Sequence, residues 1–249
     1  MRVLGVLLIA VVSAVVASIA TYFAFLRPRI RAWGFDPQEA ELALPGDELV
    51  AEPTAVETRG ITIDAPPRDV WPWLVQMGYG RGGWYSYEPL DSKLPSAREI
   101  LPEFQELKAG DMMPTYPGFS FEVKTVEPEH AIVLFADAAL TRNQMMETAR
   151  AAVADQPDID ADEVAEAVRE MPDFAGSWAF ILQPDGEDKT RLIERFRVQA
   201  PSNAPAAVAR EAMGTGIVLM ARKQLLGIKE RVEQVPPQDD LMPEMAPAG

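Results

Sequence analysis

Between Val3 and Leu26 the chain runs for 24 residues without a charge, and no other feature limits the fold so strongly. As a helix rising ~1.5 Å per residue this run would be about 36 Å long, enough for a ~30 Å hydrocarbon layer with some tilt. Tyr22 and Phe23 stand near its far end, and Arg27, Arg29 and Arg31 follow at once. A secretory leader is the competing reading, with Ser18, Ile19 and Ala20 as a small-x-small site. The apolar run continues through Leu26, beyond the usual ~7–15 residues of a leader core. Residues 1–31 are therefore expected to be a transmembrane anchor, touching the lipid bilayer through residues 3–26, in a single-pass protein of the cell membrane. Three arginines after the run, against Arg2 and the amino terminus before it, lean the body towards the cytoplasm.

The rest of the 249-residue chain suits one domain on the usual prior of ~100–200 residues. With 48% hydrophobic residues it has enough apolar material for a continuous core. Cysteine is absent, which excludes disulfides, thiolate nucleophiles and Cys-ligated zinc. A net charge of −15 disfavours nucleic acid, whose phosphates are bound by clustered Lys and Arg. The acidity is concentrated: Asp137 to Asp173 holds ten acids against Arg142, Arg150 and Arg169.

Residues 32–54 form a polar, proline-spaced connector with a turn at Leu44-Pro45-Gly46-Asp47. Thr58 to Asp64 alternates as a strand. Pro66 and Pro67 open a helix whose apolar face is Val70, Trp73, Leu74 and Met77, with Gly78 as its C-terminal cap and Pro72 as a bend. A glycine-rich, aromatic loop (Gly78 to Tyr87) and a short helix near Ala97 to Glu106 follow. Phe119 to Val126 and Ala131 to Ala136 read as strands, and Ser177 to Gln183 with Thr190 to Gln199 as a hairpin around Pro184-Asp185-Gly186. The acidic stretch between the two strand pairs, residues 138–173, reads as a helical insertion that is a solvated excursion, a lid or a docking surface for a protein partner. Ala204 to Val232 is a long helix, and residues 234–249 are a proline-rich tail expected to be disordered.

This order implies an α+β fold in which a curved antiparallel sheet surrounds a long C-terminal helix. Residues 55–233 resemble the START-like SRPBCC family, the helix-grip group of polyketide cyclase/dehydrase and lipid-transport proteins. The likeness rests on Ile61-Thr-Ile-Asp-Ala-Pro-Pro-Arg-Asp-Val-Trp-Pro-Trp-Leu74, on Ser177-Trp-Ala-Phe180 with Thr190-Arg-Leu-Ile-Glu-Arg195, and on the closing helix. It implies an apolar cavity for a hydrophobic small molecule or lipid, lined by Trp73, Trp84, Tyr85, Tyr87, Phe121, Phe135, Trp178, Phe180 and Met213, with Gly214 and Gly216 leaving room on the helix. An enzyme of cyclase or dehydrase type and a non-catalytic scaffold are the alternatives.

Polar candidates near that cavity are Arg81, Glu88, Asp91, Arg191, Glu194 and Arg195. Glu194 is the sharpest, because it shares a strand face with Leu192 and Phe196 and would need a cation such as Arg81 if that face points inward. Gly78, Gly80 and Gly83 satisfy a literal dinucleotide fingerprint, but a helix precedes them where a strand is required. Asp158, Asp160 and Asp162 mimic the start of a calcium loop, yet Glu163 and Arg169 stand where glycine and glutamate are needed. His130 is the single histidine, in a charged turn, so no two-His metal motif exists. No catalytic residue, metal or cofactor is assigned.

Overall fold

The computed structural model describes residues 13, 14, 17, 18, 20–88, 95–155, 161–201 and 204–234, with the backbone alone for 152–155, 161 and 204–213. A π-helical turn, Tyr22–Leu26, leads into α1 (Arg27–Ala32), and α2 (Pro37–Glu41) follows. Then come β1 (Ala55–Ile63), α3 (Pro67–Val75), β2 (Met112–Tyr116), β3 (Phe119–Glu127) and β4 (Ala131–Asp137). The acidic insertion forms α4 (Ala138–Asp155) and α5 (Ala161–Arg169), and β5 (Ala175–Pro184), β6 (Thr190–Gln199) and α6 (Ala204–Gln234) follow it. The short helix expected near Ala97 to Glu106 is reduced to one 3-10 turn, Pro102–Phe104.

The architecture is α+β, as expected, with six strands in one curved antiparallel sheet of order β1-β6-β5-β4-β3-β2. Side-chain alternation divides it into an inner and an outer face. The inner face packs Ile63, Val123, Ile132, Leu134, Phe180, Leu182 and Leu192 against Trp73 and Leu74 of α3 and Leu225, Ile228 and Val232 of α6. The outer face has a smaller core of Ala131, Val133, Ala179, Ile181 and Ile193, covered by Leu44 and Leu49 of the connector. Gly46 makes that cover possible: its φ is 91°, and a Cβ there would stand 2.5 Å from a Val133 methyl.

The connector is also tied down by charge. Arg195, 2% exposed, donates to Thr58 Oγ1 (3.0 Å), Leu42 O (2.7 Å), Asp47 Oδ2 (2.8 Å), Glu39 O (2.6 Å) and Ala40 O (3.3 Å). Arg191 grips the Glu39 carboxylate with two nitrogens, and Arg197 reaches Asp47 (3.4 Å) and Val50 O. Three alternate residues of β6 thus fasten a segment that carries no strand or helical period of its own.

The expected span from Val3 to Leu26 falls largely outside the described residues. Among the described residues no helix is long and apolar enough to cross a membrane. This overturns the single-pass membrane location and, with it, the orientation drawn from the arginines. The end of the run is instead docked on the domain: Tyr22 hydrogen-bonds Thr215, Arg31 pairs with Glu57 at 2.6 Å, and the Arg222 guanidinium lies 5.4 Å from the Trp33 ring centre. The tail from residue 235 onwards also lies outside the described residues.

Candidate functional site

Strand register sets the site. Leu192, Glu194 and Phe196 point to the inner face, opposite Ile61, Arg59 and Glu57 of β1 on one side and Leu182, Phe180 and Trp178 of β5 on the other. A charged pair of positions, Arg59 and Glu194, is thereby set into an aromatic surface. Trp84 arrives from the glycine loop and stacks on Trp178 with centres 5.0 Å apart and planes 19° from parallel. Trp178 also meets Phe121 edge-on at 5.9 Å and Phe180 at 5.0 Å. The loop can deliver Trp84 because Gly78 and Gly83, at φ of 125° and 81°, pair across it and reverse the chain between them.

Glu194 is buried, 5% exposed. Its Oε1 accepts from Trp178 Nε1 at 2.7 Å, while Oε2 has no partner among the described residues. Burial pushes its carboxyl up to about 7, against the lowering effects of the Trp178 hydrogen bond and the Arg59 charge. Arg59, 3% exposed, spends Nη2 on Glu57 at 2.8 Å, and its Nε is likewise without a partner among the described residues. Glu57 is shared with Arg31. Trp84 Nε1 is the third buried polar atom of this neighbourhood left unpaired among the described residues. Each such atom costs about 1–3 kcal/mol relative to a satisfied one. Three such atoms fall on Glu194, on its cross-strand neighbour Arg59 and on the tryptophan stacked over Trp178, which leaves the fold locally weaker there.

Arg81 does not reach Glu194. It closes the end of α3, donating to Met77 O (3.0 Å), Val75 O (3.0 Å) and Phe104 O (3.2 Å), with its guanidinium 4.8 Å from the Phe104 ring centre. Burial lowers its pKa from the ordinary guanidinium value. The cation beside Glu194 is Arg59, whose signal in the sequence is its position two residues before Ile61, on the same strand face. Trp73 and Tyr85 are core residues in edge contact at 6.0 Å, and the Tyr85 hydroxyl donates to Trp73 O and accepts from Gln76. Burial drives the Tyr85 phenol well above its usual range. Phe135 lies on the outer face, opposite Ser177, with the Lys124 ammonium 5.6 Å from its ring centre. Tyr87 and Glu88 line an open polar cleft of about 560 Å³ together with Arg98, Lys223 and Arg231. Arg191 and Arg195 serve the outer face, where they hold the connector. Met213 is in α6 with its side chain outside the described atoms, and Asp91 lies outside the described residues. His130 is half-exposed, 3.6 Å from Glu127. Among the described residues no group of three or more His, Cys, Asp or Glu could hold a metal ion.

No protein-family model matches the chain, and no curated protein does so significantly. Among solved structures it is similar to a hypothetical protein of Helicobacter pylori, with 12% identity over 76% of this chain and 94% of that one and a TM-score of 0.41. It is also similar to a protein of Mesorhizobium loti (15% identity, 73% of this chain and 99% of that one, TM-score 0.39). A third similarity is to the di-domain ARO/CYC BexL from the BE-7585A biosynthetic pathway, at 19% identity and a TM-score of 0.36. That match takes in 76% of this chain and 54% of BexL, so the chain spans about half the length of BexL. Likeness of this degree says nothing about ligand or chemistry.

Proposed function

We propose that this protein binds a hydrophobic small molecule or lipid between the inner face of the sheet and α6, with the polar end of the ligand at Glu194. The observation that carries this reading is the unpaired Oε2 of Glu194, a buried carboxylate oxygen set among Trp84, Trp178, Phe180 and Phe196. Apolar burial of the ligand body supplies affinity at ~25 cal/mol per Å², and the few polar atoms fix its orientation. The unpaired atoms have no contact with solvent, so in this reading the ligand reaches them by displacing aromatic side chains, the Trp84–Trp178 stack among them. Its polar end then satisfies groups that the empty protein leaves wanting.

Native mass spectrometry of the full chain, purified without delipidation, tests this directly. The expected spectrum shows the protein with an added apolar mass, lost on mild activation. A spectrum of bare protein, together with tryptophan fluorescence indifferent to added fatty acids and alcohols, would sink the reading. One observation favours a second function, an enzyme of cyclase or dehydrase type: a carboxyl poised near neutral pH in a dry, arginine-flanked setting is what general acid–base catalysis requires. Release of a chemically altered ligand, rather than the same ligand, distinguishes it.

A further inference from the structure

If the protein binds an apolar ligand at Glu194 as proposed, the state of that one carboxyl decides which ligand end it can meet. Glu194 is 5% exposed. Its Oε1 takes the indole N–H of Trp178 at 2.7 Å, and its Oε2, also buried, has no partner among the described residues. An ionised carboxylate held this way leaves one charged oxygen bare of both water and donors, which burial penalises heavily. A neutral carboxyl avoids that penalty. Its two oxygens then differ: one is the acceptor and the other bears the proton. Oε1 already accepts, so the proton belongs on Oε2, which becomes an O–H donor with no acceptor in the protein.

The surroundings keep that proton in place. From β5, Phe180 stands directly opposite Glu194 in the register and Trp178 two residues away, and the glycine loop lays Trp84 on Trp178. The buried α6 residues among those described, Val218, Ala221, Gln224, Leu225, Ile228 and Val232, bring no ionisable group. From β1 come Arg59, opposite Glu194, and Glu57, opposite Phe196. Arg59 favours the ionised carboxylate, yet its ion pair is with Glu57, at 2.8 Å. Burial outweighs it and pushes the Glu194 carboxyl up to about 7. A ligand end that only donates, such as an ammonium, gives the Oε2 hydrogen nothing to bond. A carboxylate accepts that bond but brings a full charge into an aromatic setting, where desolvation opposes it.

We propose that Glu194 keeps its proton on Oε2 and donates it as a hydrogen bond to an uncharged acceptor, the carbonyl oxygen of an apolar ketone or ester. The class of ligand follows from the one donor left over beside an apolar surface: a long apolar body and an oxygen that accepts without donating. Losing the proton removes the donor and sets a negative oxygen against the carbonyl oxygen. Ligand and proton are therefore bound together, and each strengthens the hold of the other.

Three compounds of equal carbon count, methyl hexyl ketone, octanoate and octylamine, titrated into the full chain and followed by tryptophan fluorescence, test this. The ketone is expected to bind tightest. Its affinity should be flat below about pH 7 and fall about tenfold per pH unit above it, one proton being taken up per ligand bound. In Glu194→Gln the amide oxygen can take the Trp178 N–H and the amide nitrogen donates without titrating, so ketone binding persists and becomes independent of pH. Ketone affinity that is flat across pH in the natural protein, or octanoate or octylamine binding as tightly as the ketone at about pH 6, overturns the donor assignment and leaves the binding function standing. If none of the three binds at any pH, the binding function itself fails.

Discussion

Glu194 and Arg195 are adjacent in β6, both charged and both buried, yet they point to opposite faces and are treated in opposite ways. Arg195 has each of its three nitrogens bonded, to a carboxylate, a hydroxyl and three backbone carbonyls. Among the described residues Glu194 has a single partner, an indole N–H, and one oxygen left over. A buried charge that serves architecture alone is worth its desolvation only when every lone pair and proton is matched. The outer face meets that condition at Arg195 and the inner face does not meet it at Glu194. The mismatch at Glu194 is what supports a binding role for the inner face in the function proposed above.

The harshest test of this contrast is Arg195→Ala. It takes the donor from the Glu39, Ala40 and Leu42 carbonyls and leaves the Asp47 carboxylate to Arg197 and the Leu44 N–H, and is expected to cost about 3–5 kcal/mol in urea unfolding. A loss near zero would erase the distinction. Glu194→Gln is expected to act in the opposite direction. The folded-state carboxyl is raised to about 7 from an ordinary 4.5, so the folded protein holds a proton that the unfolded chain has lost. Stability therefore falls as pH climbs between those two values, and the penalty is complete above the higher one. Removing the charge restores on the order of 3 kcal/mol at alkaline pH, and nothing at about pH 4. Chemical denaturation of both proteins at two pH values checks the sign.

Trp178→Phe sharpens the comparison at a finer scale. It withdraws the one donor Glu194 has, costs about 1–3 kcal/mol, and costs more at high pH than at low, because the ionised carboxylate depends on that donor most. The carbonyl stretch of a protonated carboxyl in infrared difference spectra should then persist to higher pH than in the natural protein. The mildest outcome is reserved for Phe135→Ala. Its ring belongs to the outer face, and ligand affinity by fluorescence titration is expected to stay within about twofold, as for sites without shared partners.

The strands of the hairpin are legible in the sequence because their residues alternate: Trp178 with Phe180, and Leu192 with Glu194 and Phe196, fall on one face at a period of two. That alternation by itself singles out Glu194. It fails for β4, where Ala131 to Ala136 is apolar on both faces. Parity cannot be read from such a run, which is why the expectation that Phe135 lines a cavity is wrong. Arg81 suggests itself as the partner of Glu194 because it lies in a loop at the mouth, whereas Arg59 is hidden in a strand whose polar residues read as solvent-facing. The connector is opaque for a different reason. What holds it is Arg195 bonding to its backbone carbonyls from about 150 positions away, and a carbonyl leaves no mark in a sequence. The uncharged run at the N-terminus shows the reverse error. Hydropathy measures what a segment could enter, whereas the Tyr22–Thr215 hydrogen bond shows what its end touches.

Gly227 carries a mechanical consequence. A methyl group there would stand 2.1 Å from the Tyr85 carbonyl oxygen, so α6 rests directly on the loop backbone at this one point. Tyr85 is itself clamped by Trp73, Gln76, Ser96 and the Arg231 guanidinium over its ring. The helix thus has a backbone seat near one extremity, and 23 residues run from it towards Ala204, packed along the way through Val218 and Ala221. At ~1.5 Å per residue this stretch is about 35 Å, and rocking it by about 5° swings its tip by about 3 Å, close to the thickness of an aromatic ring. A small rotation at the seat is thereby a large displacement at the opposite end.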